Sequence, residues 1–407
     1  AGGQTGMTSS KRIIVVAEKS RAYGRALCEG IASFAQEQDE WMLQLIDDIT
    51  EKDLRGFRGC AGVIARIIDD RTAALLQSLK VPVVDILVLK RYAGIAAVDN
   101  DQRLVGAWAA DYFLEHRFTR FAFCGYSGVA FSDQRGEGFA EGVRAKGFDC
   151  AVFALAGKTT QELAKRGISD EHLTLGSDCV RLGAWLKQLP KPTAVFCCHD
   201  ARAYQVLTLC KQQGLRVPGE VAVMGVDDDR VLCGFASPTL SSIDPNAIEI
   251  GRAAARTLAD MIRHPRRKRP PCVRVPPKAL VPRASTRIYP IDPPWLSDAL
   301  LFVGKNFSKG INADDVFRSL GRSHTGVEQA FRDVLGTTVH REIVRVRLEA
   351  AARLLQTTDA SAAAISGLVG FASPQHFSFT FRKAYGTTPE AYRRQSRAGL
   401  CAGLQKS

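Results

Sequence analysis

Two stretches near the end of this 407-residue chain repeat the same residue types. Phe331-Arg-Asp-Val-Leu-Gly-Thr-Thr338 and Phe381-Arg-Lys-Ala-Tyr-Gly-Thr-Thr388 lie 50 residues apart. Extended backward, Ser323 pairs with Ser373 and Val327 with Phe377. The charge around them is one-sided. The formal net charge is +13, yet residues 1–262 carry −1, residues 263–287 hold nine Lys/Arg and no acid, and residues 288–407 carry +5. A basic surplus confined to the last third suits a polyanionic partner, and nucleic acid is the usual one. Catalytic signatures are missing: there is no P-loop, no G-x-S-x-G and no H-E-x-x-H, and G-x-G occurs only at Gly136-Glu-Gly138.

The repeated spacing dictates local structure. Ser323 and Ser373 can accept hydrogen bonds from the free amides of a first helical turn. Pro374 stands at the first helical position, where a missing N–H costs nothing. Apolar residues four and eight places after each serine form one buried stripe, and Gly336 and Gly386 can end each helix in the left-handed conformation. A shorter helix is predicted before each capped one, over Asn312–Leu320 and Ser361–Val369, with Gly321 or Gly370 in the joint. Each pair has the outline of a helix-turn-helix. Capped amphipathic helices would also suit a plain bundle; the paired joints and the charge favour the DNA reader. Between the copies, Val339–Gln356 reads as one helix with Ile343, Val346, Ala350 and Leu354 on one face. It would be roughly 27 Å long, near the spacing of about 34 Å between successive major grooves on one DNA face.

Gly370-Phe-Ala-Ser-Pro-Gln-His-Phe-Ser-Phe-Thr-Phe-Arg-Lys-Ala-Tyr-Gly-Thr-Thr-Pro389, followed by Tyr392-Arg393, resembles the signature of AraC/XylS-type transcription regulators over about 295–396. The resemblance implies that the second helix of each unit enters the major groove. It makes Thr325, Glu328 and Gln329, and Pro374, Gln375, His376 and Phe379, the outward base-reading candidates. Arg322, Arg332, Arg382 and Lys383 suit phosphate contacts, which give affinity and register.

The first 260 residues have another rhythm. Apolar runs at Arg12–Ala17, Met42–Asp47, Ala61–Ala65, Val81–Leu87, Phe121–Cys124, Thr193–Cys198 and Val221–Val226 alternate with helical stretches such as Ala22–Gln36, Val105–Glu115 and Phe139–Lys146. That pattern predicts an α/β architecture of two Rossmann-like lobes, with parallel sheets covered on both faces and ligands bound at the carboxyl ends of the strands. Val221-Ala-Val-Met-Gly-Val-Asp-Asp228, Arg135-Gly-Glu-Gly-Phe139, Cys198-His-Asp-Ala201 and Val281-Pro-Arg-Ala-Ser-Thr286 resemble segments of LacI/GalR-type sensor domains, whose fold is that of periplasmic sugar-binding proteins. A sugar offers many hydroxyls, which carboxylates and a planar guanidinium can match. Asp227 and Asp200 fall at strand ends and Arg135 at a helix start on the same side, so these three are the expected ligand contacts. His199 is either a ligand contact or a structural histidine, and Tyr23 either stacks on a sugar face or packs in the core.

A resemblance to xylose-operon activators is carried by Gly62-Val-Ile-Ala65, Val98-Asp-Asn100, Arg120-Phe-Ala-Phe123, Asp200-Ala-Arg-Ala203 and Pro276-Pro277, and by the order of the two modules. It implies D-xylose as inducer, with Arg66 standing where that family carries an acid, so that another pentose is left open. The expected division is a disordered tail over 1–10, a sugar sensor over 11–286, a linker over 287–294, a double helix-turn-helix domain over 295–396, and a second tail over 397–407. Proline clusters at 265–277 and 290–294 mark the boundary. Eleven cysteines without a C-x-x-C pair read as free core thiols in a reducing compartment. The reading is therefore a cytoplasmic activator with no metal or cofactor, expected to act as a homodimer on a double-stranded DNA operator under a small sugar inducer and, as the resemblance implies, to engage RNA polymerase. A sugar-processing enzyme or a transport-type sugar binder on the same α/β fold are the alternatives.

Overall fold

The computed structural model describes residues 10–394, apart from 39, 48, 50–52, 156–176 and 266–269. The expected tails, except for Ser10, lie outside the described residues, as does the basic run 266–269. The chain divides into two compact units, Ala1–Arg287 and Ile288–Ser407.

In the first unit the strands are β1 (Lys11–Val16), β2 (Trp41–Ile46), β3 (Gly62–Ala65), β4 (Val83–Asp85), β5 (Ala96–Asn100), β6 (Phe121–Tyr126), β7 (Cys150–Leu155), β8 (Thr193–Cys197), β9 (Val221–Val226), β10 (Ser241–Asp244), β11 (Cys272–Val275) and β12 (Ala279–Val281). The helices are α1 (Ala22–Gln36), α2 (Asp53–Phe57), α3 (Asp70–Ser78), α4 (Gln102–Glu115), α5 (Ala130–Arg144), α6 (Ser177–Gln188), α7 (Asp200–Gln212), α8 (Arg230–Phe235) and α9 (Ala247–Arg263). Two six-stranded sheets result, in the orders β11-β5-β4-β3-β1-β2 and β12-β10-β9-β8-β6-β7. Pairing is parallel except between β10 and β12. The two-lobed α/β architecture read from the alternating runs is the one found. Strands β1, β6, β8 and β9 are apolar on both faces because helices cover both, and their centres are fully buried.

The chain crosses between the lobes three times, after β5, β10 and β11. Asn100, 1% exposed, ties these crossings together. Its Nδ2 donates to the carbonyls of Pro245 at 2.6 Å and Val275 at 3.0 Å. The Asp101 amide also donates to Val275 O at 2.8 Å.

Helix α5 starts nine residues before the predicted Phe139, so Arg135 lies inside the helix rather than at its start. The polar first turns hid the helix, because only its last half shows an apolar stripe. Two close approaches let α5 pack on α4. A Cβ at Gly138 would sit 2.1 Å from Arg103 O, and one at Gly106 would sit 2.1 Å from Arg135 O. Glycine is required there because backbone meets backbone.

The second unit is helical, as expected: α10 (Pro294–Asn306), α11 (Ala313–Leu320), α12 (His324–Leu335), α13 (Val339–Thr357), α14 (Ala362–Leu368) and α15 (Pro374–Tyr385). Tyr289 and Ile291, expected in a linker, pack into the first core of this unit, and the Tyr289 amide donates to Ser297 Oγ at 2.9 Å. Their apolar rings and branches are worth more buried than spanning solvent. Helix α13 serves two cores in succession. Val339, Ile343 and Val346 enter one with Val327 and Phe331, whereas Leu348, Ala351 and Leu355 enter the other with Phe377 and Phe381. The four residues expected on one face all pack inward, Ile343 and Val346 into the first core and Ala350 and Leu354 into the second. Arg345 fixes this helix on its polar side, donating from Nε and Nη2 to the buried Glu342 at 2.9 and 2.6 Å and from Nη1 to Glu349.

Candidate functional site

The sensor-like unit gathers its charged residues at the carboxyl ends of its parallel strands. Tyr23 enters from the first turn of α1 and is partly buried. Burial, then the nearby Asp99 carboxylate, raises the pKa of its hydroxyl. Arg135 and Asp227 from the second lobe, and Arg66 from the first, also act on that ring.

Arg135 is 4% exposed and held from two sides. Its Nε donates to Gln102 Oε1 at 2.7 Å and its Nη1 to the Cys198 carbonyl. The guanidinium lies 5.3 Å over the Phe131 ring. Anchored in this way, it keeps a fixed direction for planar hydrogen bonding.

Asp227 and Asp228 follow β9 in an uncommon backbone conformation, with φ of 118° and 46°. Such geometry costs about 1–3 kcal/mol per residue and persists only where the surroundings hold it. The Asp227 amide donates to Ile243 O at 2.9 Å and the Asp228 amide to Ser242 Oγ at 3.0 Å. Arg283 pairs with Asp228 at 2.6 Å.

Asp200 completes this clamp. It is 1% exposed, and its carboxylate accepts from Ser242 Oγ at 2.6 Å and from the Asp229 amide at 2.8 Å. Burial, then Asp227, pushes its pKa well up. Both oxygens are engaged, so the structure places Asp200 as the anchor of the Asp227–Asp229 loop and not as a group presented to a ligand. His199 caps α7, its Nδ1 accepting from the Arg202 amide at 3.0 Å, while its buried Nε2 has no partner. Burial, then Arg21, Arg135 and Arg202, hold its pKa well below the usual range, so the ring is neutral.

Sequence reasoning missed Asp99, at the end of β5. Its carboxylate accepts from the Asn100 amide at 2.7 Å and Gln102 Nε2 at 2.9 Å. Burial pushes its pKa up to about 7, against the lowering effect of these bonds and Arg135. Its signal was a carboxylate at the carboxyl end of a buried strand. Arg66, after β3, meets Glu18 at 3.6 Å. Burial lowers its pKa.

The raised pKa of Asp99 gives a stability prediction. The folded chain holds the proton after the unfolded chain has released it, so this group lowers stability as pH rises from about 4 to 7. Asp99→Asn is expected to raise the melting midpoint of the sugar-free chain by about 2–4 °C at pH 8 and by less at pH 4. Scanning calorimetry at both pH values checks it; an unchanged or lower midpoint at pH 8 contradicts it.

The helical unit presents two matched reader helices. Ser323 Oγ accepts from the Gly326 amide at 3.3 Å and Ser373 Oγ from the His376 amide at 3.2 Å. Gly336 and Gly386 end the helices at φ of 63° and 72°. Burial repeats residue for residue between 326–336 and 376–386. Thr325, Gln329, Pro374, Gln375 and His376 are exposed, as are Arg332, Arg382 and Lys383. Gln329 Nε2 donates to Asp333 at 2.8 Å. Two of the candidates also have neighbours within the unit. Glu328 is half-buried with Oε2 enclosed, because it lies beside the buried Val327. Arg322 lies 4.7 Å over the Trp295 ring.

Comparison with known proteins agrees with both halves. A periplasmic binding protein-like domain matches residues 110–286 and a helix-turn-helix domain matches 317–395. The xylose operon regulatory protein of Escherichia coli K12 is 28% identical over 95% of this chain and 97% of its own. That of Haemophilus influenzae is 25% identical over 94% and 98%. The solved structure of a xylose-binding transcription activator superposes with a TM-score of 0.58 at 27% identity, covering 95% of this chain and 98% of that one. A LacI family regulator from Enterococcus faecium shares the fold of the first unit, with a TM-score of 0.54 at 18% identity over 70% of this chain and 100% of that one. No helix among the described residues is long and apolar enough to cross a membrane. The chain joins a periplasmic binding protein-like domain to a helix-turn-helix domain, which is the make-up of a sugar-responsive DNA-binding transcription regulator.

Proposed function

We propose that the chain is a pentose-responsive activator of sugar-catabolism genes, with D-xylose as the inducer. The observation that carries this reading is the set of charged side chains at the carboxyl ends of parallel strands in both lobes, Arg66 after β3, Asp99 at β5 and Asp227 after β9, together with the buried and doubly held Arg135. Carboxylates and a fixed guanidinium suit a small polyhydroxylated ligand. The near full-length likeness to xylose operon regulatory proteins supports the choice of sugar.

In this reading, Arg135 and Asp227 bind hydroxyls directly, Tyr23 packs on the sugar, and the neutral His199 offers its Nε2. Asp200 acts through the loop it anchors. Sugar shifts the lobes toward one arrangement only by binding that arrangement more tightly. The chain works in the cytoplasm as a homodimer. Its readers dock on operator half-sites through Thr325, Glu328, Gln329, Pro374, Gln375 and His376. Arg322, Arg332, Arg382 and Lys383 contact phosphates, and bound chains recruit RNA polymerase.

A ligand that binds only the folded chain raises its stability, by about 2.7 kcal/mol at a hundredfold excess over Kd. A thermal-shift series with D-xylose, L-arabinose, D-ribose and D-glucose should show its largest rise with D-xylose. A flat response to all four sugars would sink the proposal.

A further inference from the structure

On α15, Phe377 and Phe381 are fully buried and Phe379 is 70% exposed. A helix advances about 100° per residue, so Phe379 lies two residues, or about 200°, from each buried ring. It forms the outermost ridge of the helix, and it is the most exposed large apolar side chain among the described residues of this unit. Its neighbours one turn away, Gln375 and Lys383, are exposed and polar, and Arg382 flanks them. Water gains nothing from a phenyl ring placed there. On the matched helix α12 the same ridge position is Gln329, between buried Val327 and Phe331.

We propose that Phe379 is a specificity-determining residue that packs on the C5 methyl group of a thymine in the major groove. The inference rests on the reading of α15 as a base-reading helix. Of the groups exposed on base edges in that groove, the thymine methyl is the apolar one, and phenylalanine is among the side chains that meet it. The basic and amide neighbours favour DNA as the surface this ring covers. Gln329, at the matched ridge, has instead the paired donor and acceptor that fit adenine. The two readers of one chain therefore present different chemistry at the same place, and their DNA targets differ in sequence.

The test uses the full chain, with and without D-xylose, and selection from a random DNA pool. In the selected site, each thymine is replaced in turn by deoxyuridine, which removes only the C5 methyl. One replacement under the second reader should weaken binding about fourfold, the effect of leaving one carbon unburied. Phe379→Ala should weaken binding to the thymine site by a similar factor and be insensitive to that replacement. Its melting midpoint should match the parent's, because the ring makes no core contact. If no deoxyuridine replacement matters to the parent chain, or if Phe379→Ala keeps the parent's sensitivity, the inference is overturned. Gln375→Ala separates the two readings. If it and Phe379→Ala both select the parent's sequence, α15 is not a base reader. If it alone changes the selection, only the role of Phe379 fails.

Discussion

Arg135→Ala is expected to abolish the sugar-induced rise in melting midpoint. The side chain is almost wholly buried, acts electrostatically on Tyr23 and Asp99, and is already fixed by Gln102 and the Cys198 carbonyl. A charged hydrogen bond contributes about 1.5–3 kcal/mol, so losing two to a sugar weakens binding at least about a hundredfold. The substitution also leaves the Cys198 carbonyl and Gln102 without their partner, which costs about 1–3 kcal/mol each in sugar-free stability. Arg135→Lys separates the effects: it keeps the charge and loses the planar fork. Titration calorimetry should show undetectable binding for alanine and strongly weakened binding for lysine. Affinity within threefold of the parent for Arg135→Ala would remove this residue from the site.

Phe381→Ala should unfold the second reader while sparing the sugar response. The ring is fully buried and stacks on Tyr385 at 4.5 Å, with Phe377 at 5.6 Å and Tyr392 at 5.4 Å. Truncating such a ring costs about 3–5 kcal/mol, combining lost transfer energy with the cavity left behind. That is a large share of the stability of a small helical domain. Denaturant titration should resolve an earlier transition, DNA binding should fall away, and the thermal shift with D-xylose should remain. A loss below about 1 kcal/mol would mean that the site collapses around the smaller side chain.

Local signals carried most of what was legible. The caps at Ser323 and Ser373 and the glycine stops at 336 and 386 depend on residues within one helix, and they stand where spacing put them. The two lobes were legible because buried parallel strands are apolar throughout. Long-range roles were not. Asp200 looks like a ligand group until Ser242 and the Asp229 amide, 42 and 29 residues away, are brought to its two oxygens. Asp99 was hidden because β5 is only five residues long and opens on two alanines, so no long apolar run marks its end. The start of α5 was hidden because its first turns carry polar residues, and Arg135 was consequently placed at a helix end rather than inside a packed pair of helices.

Helix α13, which carries one reader core at each end, also acts as a phase setter. It spans 19 residues, or about 28 Å at 1.5 Å per residue. One inserted residue would turn everything beyond it by about 100° and advance it by only about 1.5 Å. The two readers would then address different sides of a duplex. Seven inserted residues nearly restore the angle but add about 10 Å, close to three base pairs of rise. Length drift in this helix is therefore closed to small steps, whereas the residues on the reader ridges are free to change one at a time.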